Sequence, residues 1–85
     1  MDRDRLAEIN PEMLLADGLE DALIGVTSNH HHSQVAVYSH EKCIKILMDR
    51  DGMSEEEAEE FFQFNTLGAY VGQHGPLFVA EVGNA

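Results

Sequence analysis

Three consecutive histidines, His30, His31 and His32, are the most conspicuous residues in the chain that could do chemistry. Imidazole is the commonest side-chain metal ligand, and zinc takes three or four donors at about 2.0–2.3 Å in fixed geometry. Neighbouring residues on a loop point in alternating directions, so at most two of the three histidines easily share one ion. Further donors would have to come from His40, His74, Asp17 or Asp21. The competing reading is a solvated loop tip, SNHHHSQ, that picks up metal adventitiously. Asp17, Glu20 and Asp21 cluster ahead of an apolar run, and Asp49 and Asp51 sit near the end of a helical pattern. Carboxylates in such places can hold magnesium or exchange protons. No Gly-rich phosphate loop, nucleophile elbow or Cys-x-x-Cys pair accompanies them. Cys43 falls within an apolar stripe, as a small buried hydrophobe would, and Ser54 holds the place of a helix cap. A catalytic set is therefore not assembled, no cofactor is implied, and the expectation is a protein that is not an enzyme.

Charge is the stronger signal. Sixteen acids against five bases give a formal charge of −11. Seven of those acids fall within residues 49–60, opposed there only by Arg50. Asp49, Asp51, Glu55, Glu56, Glu59 and Glu60 form the candidate partner-binding set; Glu57 is assigned to helix capping. Phosphate contacts come from Lys and Arg, so direct nucleic-acid binding and anionic membranes are disfavoured. A basic protein surface is the complementary partner. Carboxylates on successive helix turns can imitate part of a phosphate row spaced about 3.4 Å apart along one DNA strand. The competing reading is a solvated, solubilising face.

The elements that must position these groups centre on residues 39–72. Cys43, Ile44, Leu47 and Met48 recur at the spacing of one helical face, and Ile46 widens it. That pattern predicts a helix over Ser39–Asp51. Asp51-Gly52 supplies its stop, because glycine takes the left-handed conformation past a helix end without a Cβ penalty. Ser54 and Glu57 then form an S-x-x-E capping box, with Met53 and Ala58 placed as a weak hydrophobic staple. In the second helix Ala58, Phe61, Phe62 and Asn65 share a face, with Phe64 and Leu67 beside it. Asn65 is expected to be a buried amide that bonds a nearby backbone group.

Earlier in the chain, Asp2–Ile9 reads as a short helix. Asn10-Pro11 reads as a fresh helical start, with Asn as cap and Pro at the first position. Ala22–Thr27 is the first strand, nearly continuous in apolar character, with Gly25 suggesting close approach of another group. Val35–Tyr38 is the second strand, joined to the first as a hairpin. Leu77–Val82 is the third.

The expected fold is α+β: a small three-stranded sheet, made of a β-hairpin plus a C-terminal strand, covered by an αα-hairpin. A short N-terminal helix precedes it. One domain is expected over residues 1–85, with an N-terminal helical segment at 1–18 and the sheet and helix-pair core at 19–82. The first strand, the most apolar, is expected in the middle of the sheet. A core this small, beside Phe64 and Tyr70 lying off the main stripe, suggests a homo-oligomer, most simply a dimer. No apolar run approaches the roughly 20 residues of a membrane span. No apolar segment follows the charged Met1–Arg5 as it would in a secretory leader. The single cysteine allows no intrachain disulfide, which fits a reducing cytoplasm.

Together the segments ADGLEDALIGV, VAVY, EKCIKILMDRDGMSEEEAEEFFQFNTLGAYVG and PLFV resemble a family of small acidic proteins encoded by bacteriophages and environmental viral contigs. The resemblance runs from Ala16 to Val79 and leaves out the SNHHHSQ loop. It carries over no activity and no site residues. It implies a phage setting in the host cytoplasm, where small acidic proteins bind and inhibit host machinery. The leading expectation is a non-enzymatic accessory protein that binds another protein, as an acidic inhibitor of a host defence or nucleic-acid-binding factor. One alternative is a metal-binding protein or small metal-dependent enzyme using His30–His32. Another is a sponge for a small ligand at an oligomer interface.

Overall fold

The computed structural model describes residues 3–27, 34–66 and 74–81. Helix α1 spans Arg3–Ile9, and a single 3-10 turn at Glu20–Ala22 leads into strand β1, Leu23–Val26. Strand β2 is Ala36–Ser39, and helix α2 follows at once as His40–Asp51. Helix α3, Glu55–Phe61, passes into a π-helical turn at Phe62–Thr66, and strand β3 is Leu77–Val79. Among the described residues the fold is α+β, with a three-stranded mixed sheet and three helices.

The sheet order is β1-β2-β3, so β2, not β1, lies in the middle. β1 and β2 pair antiparallel as the expected hairpin; β2 and β3 pair parallel. Parallel neighbours need a crossover connection, and the α2–α3 pair supplies it. Apolar content misdirects the choice of central strand. β2 reads AVYS, yet Ala36, Tyr38 and Ser39 are all buried. Its polar atoms are used: the Tyr38 hydroxyl accepts from the Ala16 N–H at 2.9 Å, and Ser39 caps α2. β1, richer in aliphatics, is an edge strand with Ile24 42% exposed. Gly25 is not a close-approach position, since a Cβ there would meet nothing within 4 Å. It sits at an irregularity where the β1–β2 register shifts between Leu23 and Gly25.

Local signals at α2 and α3 act as their chemistry requires. Ser39 Oγ accepts from the Lys42 N–H at 3.2 Å, and Gly52 closes the helix in the left-handed conformation at φ 68°. At α3 the capping box is complete. Ser54 Oγ accepts from the Glu57 N–H at 3.1 Å, and Glu57 Oε1 accepts from the Ser54 N–H at 2.9 Å. α2 directs Cys43, Ile44 and Leu47 into the core. Phe62 of the π-helical turn meets Phe78 of β3 edge-on at 5.1 Å between ring centroids, and Phe78 stacks on Tyr38 at 5.4 Å. This aromatic ladder joins the helix pair to one face of the sheet.

The N-terminal segment departs from expectation at Asn10-Pro11, which is a turn and not a helix start. The Asn10 side-chain oxygen accepts from the Glu12 N–H at 3.1 Å, a local alternative to helix. Its amide nitrogen donates to the Gln34 carbonyl at 2.8 Å, and the Leu14 N–H donates to the His74 carbonyl at 3.0 Å. Leu6 and Ala16 are buried, so residues 3–18 pack on the rest of the domain. Asn65 is a second correction: it is exposed, and its side-chain N–H donates to the Phe61 carbonyl at 3.2 Å.

Candidate functional site

The six candidate carboxylates are all exposed, at the end of α2 and along α3. They do not form a single face. Asp49 lines a cleft of about 560 Å³ between α2 and the 3-10 turn, together with Glu20, Asp21, Lys42, Lys45 and Arg50. Three of the chain's five bases are in that cleft, so Asp49, Glu20 and Asp21 there lie among cations. Arg50 donates to the Gly18 carbonyl at 2.9 Å and clamps Asp51 with two N–H donors at 3.0 and 3.1 Å. The guanidinium therefore holds the Asp51 carboxyl below its ordinary range.

Glu55 and Glu59, one turn apart, line a second groove beside His40, Ile44 and Met48. His40 Nε2 lies 2.9 and 3.1 Å from the two oxygens of Glu59, and its ring packs on Phe62 at 4.7 Å. This contact ties the start of α2 to α3.

Glu57 and Glu60 border a third groove, on the outer side of α3, with Met53, Phe61, Phe64 and Asn65. Glu57 has its pKa lowered, first by the Ser54 backbone N–H of the capping box and then by the Ser54 side chain. Phe64 is 74% exposed and Phe61 40% exposed. Sequence periodicity assigns Phe61 to the buried face, and that assignment is wrong. Ala58, Phe62 and Thr66 fill the inward positions of α3 and the π-helical turn, and Phe61 and Phe64 turn outward. The signal was the four-residue spacing of 58, 62 and 66, which the phenylalanine run obscured.

The metal candidates separate. His30, His31 and His32 lie outside the described residues, as do Leu67 and Tyr70. His74 Nε2 pairs with Glu12 at 2.7 Å, and its Nδ1 lies 3.2 Å from the Asn10 amide nitrogen. His40 is held by Glu59. Among the described residues no group of three or more His, Cys, Asp or Glu is placed to hold a metal ion. Cys43 is fully buried, and burial pushes its thiol up to about 11. Among them, too, no helix is long and apolar enough to cross a membrane.

Comparison with protein-family models, with curated proteins and with solved structures finds no match to this chain.

Proposed function

We propose that this is a non-enzymatic accessory protein of the phage type, which acts in the host cytoplasm by binding the basic surface of another protein. The observation that carries the reading is α3. Glu55, Glu56, Glu59 and Glu60 project from two turns of a helix whose only buried residue is Ala58. Only Glu59 of the four pairs with a basic side chain among the described residues, the imidazole of His40. A helix this exposed and this charged contributes little packing, so its outward composition is free to serve recognition. The matching partner presents Lys and Arg where it would otherwise meet phosphates, as a host nucleic-acid-binding or defence factor does. Inhibition follows from occupying that surface.

The test replaces Glu55, Glu56, Glu59 and Glu60 with Gln. Partner captured from a bacterial host lysate is titrated against wild type and variant at two salt concentrations. The variant is expected to bind more weakly and with a flatter salt dependence, while folding as the wild type does. Equal affinity and equal salt slope would reduce the acids to a solvated face. Glu57 is left intact, because its loss would remove the capping box and mix folding into the result.

A further inference from the structure

We infer that the outer groove of α3 receives an apolar anchor on a basic amphipathic helix of the partner, an inference that rests on the protein-binding reading above. Met53, Glu57, Glu60, Phe61, Phe64 and Asn65 line this groove of about 370 Å³. Met53 enters from just before the N-cap, and Glu57, Glu60, Phe61, Phe64 and Asn65 continue along α3 and the π-helical turn. Phe64 and Phe61 show 74% and 40% of their surface in this one groove, an exposed apolar patch of the kind that marks an interaction surface. Two adjoining aromatic side chains rimmed by carboxylates have the composition of an interface core with a charged rim.

The rim selects the occupant. Each copy of the chain carries −11, and a two-fold axis through this groove would bring Glu57 and Glu60 against their own equivalents. A second copy is thus disfavoured here by like charge. A helix with leucine-like anchors at i, i+3 or i+4 and i+7, flanked by Lys or Arg, satisfies both the aromatic floor and the acidic rim. Cation–π contact between a partner Lys or Arg and the exposed Phe64 ring adds to the match.

The probe is a synthetic helix of about 15 residues with Leu on one face and Lys on the other, long enough to hold helical structure. Two control peptides replace all Lys by Glu or all Leu by Ser. The Leu/Lys peptide is expected to bind the full chain, and the controls are not. Phe64→Ser and, separately, Phe64→Lys are expected to weaken binding by about tenfold or more, as loss of a central aromatic anchor does. Both should melt with the wild type, because the side chain is mostly in water. Phe64→Lys guards against misreading, since it adds a cation among acids and does not burden the fold. Glu60→Gln should weaken binding less, by an amount that shrinks at high salt. If both Phe64 variants bind as wild type does, the groove is not the anchor site, although an acidic binding face would still stand. Failure of the Leu/Lys peptide to bind also overturns the inference. So does a wild-type dimer that Phe64→Ser converts to monomer, since a second copy would then hold the groove.

Discussion

The two helices of the α2–α3 pair divide the work of the domain unequally. α2 is capped at both ends and places Cys43, Ile44 and Leu47 in the core at 0%, 6% and 2% exposure. α3 is capped as carefully at its start, yet it buries only Ala58 before the π-helical turn adds Phe62 and Thr66. The rest of α3 is acid and outward-facing phenylalanine. A chain of 85 residues has little apolar material to spare. Phe61 and Phe64 are nonetheless left 40% and 74% exposed. α2 supplies core residues along its length, and α3 leaves most of its surface in solvent.

The largest effect that tests this division is Leu47→Ala. Removing a side chain 2% exposed within the main cluster should cost about 2–5 kcal/mol in denaturant unfolding. Phe64→Ala, a larger truncation in atoms, should stay within about 0.5 kcal/mol. Comparable losses at the two sites would mean that α3 stabilises the domain as α2 does.

A second contrast lies between α3 and the sheet. Tyr38 and Phe78 point toward Phe62, so their neighbours Val37 and Leu77 point to the opposite face, as alternation along a strand requires. Ile24 and Leu77 are 42% and 48% exposed, and among the described residues none in β1, β2 or β3 carries a charge. A second copy meets no carboxylate on these strands, unlike on α3. Self-association is thus expected through the sheet and not through Phe64. Sedimentation at tens of micromolar should show a species of twice 9.5 kDa, and Leu77→Lys should weaken the dimer by about tenfold or more. A wild type that sediments only at 9.5 kDa would remove the dimer altogether.

Local signals were legible in the sequence because each is settled by a few adjacent residues. Gly52, Ser54 and Glu57 act as their types predict, and Ser39, expected as the first helical residue, is the N-cap just outside α2. The hairpin and the burial of Cys43 were equally readable, from two apolar runs and one helical stripe. The central strand was not. The Tyr38 hydroxyl of β2 is paired across 22 positions with Ala16, and α2 begins directly at the end of β2; neither feature shows in hydropathy. The acidic block was visible as composition, but its division over three grooves depends on helix rotation and on which base each acid meets. The turn at Asn10 rests partly on a local bond from the Glu12 N–H, but the groups that hold its amide nitrogen, Gln34 and His74, are 24 and 64 positions away.

A middle-sized effect belongs to the cap that α3 depends on. Ser54→Ala should lower stability by about 1 kcal/mol, the usual cost of losing an N-cap side chain. It should not change the reactivity of Cys43, whose thiol is fully buried with its pKa raised to about 11. Thiol labelling at neutral pH is expected only on unfolding, in variant and wild type alike. Fast labelling of the folded variant would show that α3 shields the core more than its contacts suggest.

The smallest effect concerns the charge of the same cap. Glu57 has a lowered pKa because its carboxylate accepts from the Ser54 N–H, an arrangement that favours the ionised form. A carboxylate whose folded pKa lies below its unfolded one stabilises the fold fully above the ordinary glutamate value of about 4.3. That contribution is lost as pH falls through the lower, folded value. Gln at this position can still complete a capping box but cannot ionise. The stability of wild type minus that of Glu57→Gln should therefore be positive at pH 7, decline through the acid range below about 4.3, and vanish there. The subtraction matters because acid also relieves the repulsion of a chain at −11, which on its own would stabilise both proteins alike. Denaturant unfolding of the pair at several pH values reads the difference directly. A difference that stays constant with pH would assign the cap to hydrogen bonding alone. One that grows in acid would show that the ionised Glu57 is a liability among its acidic neighbours.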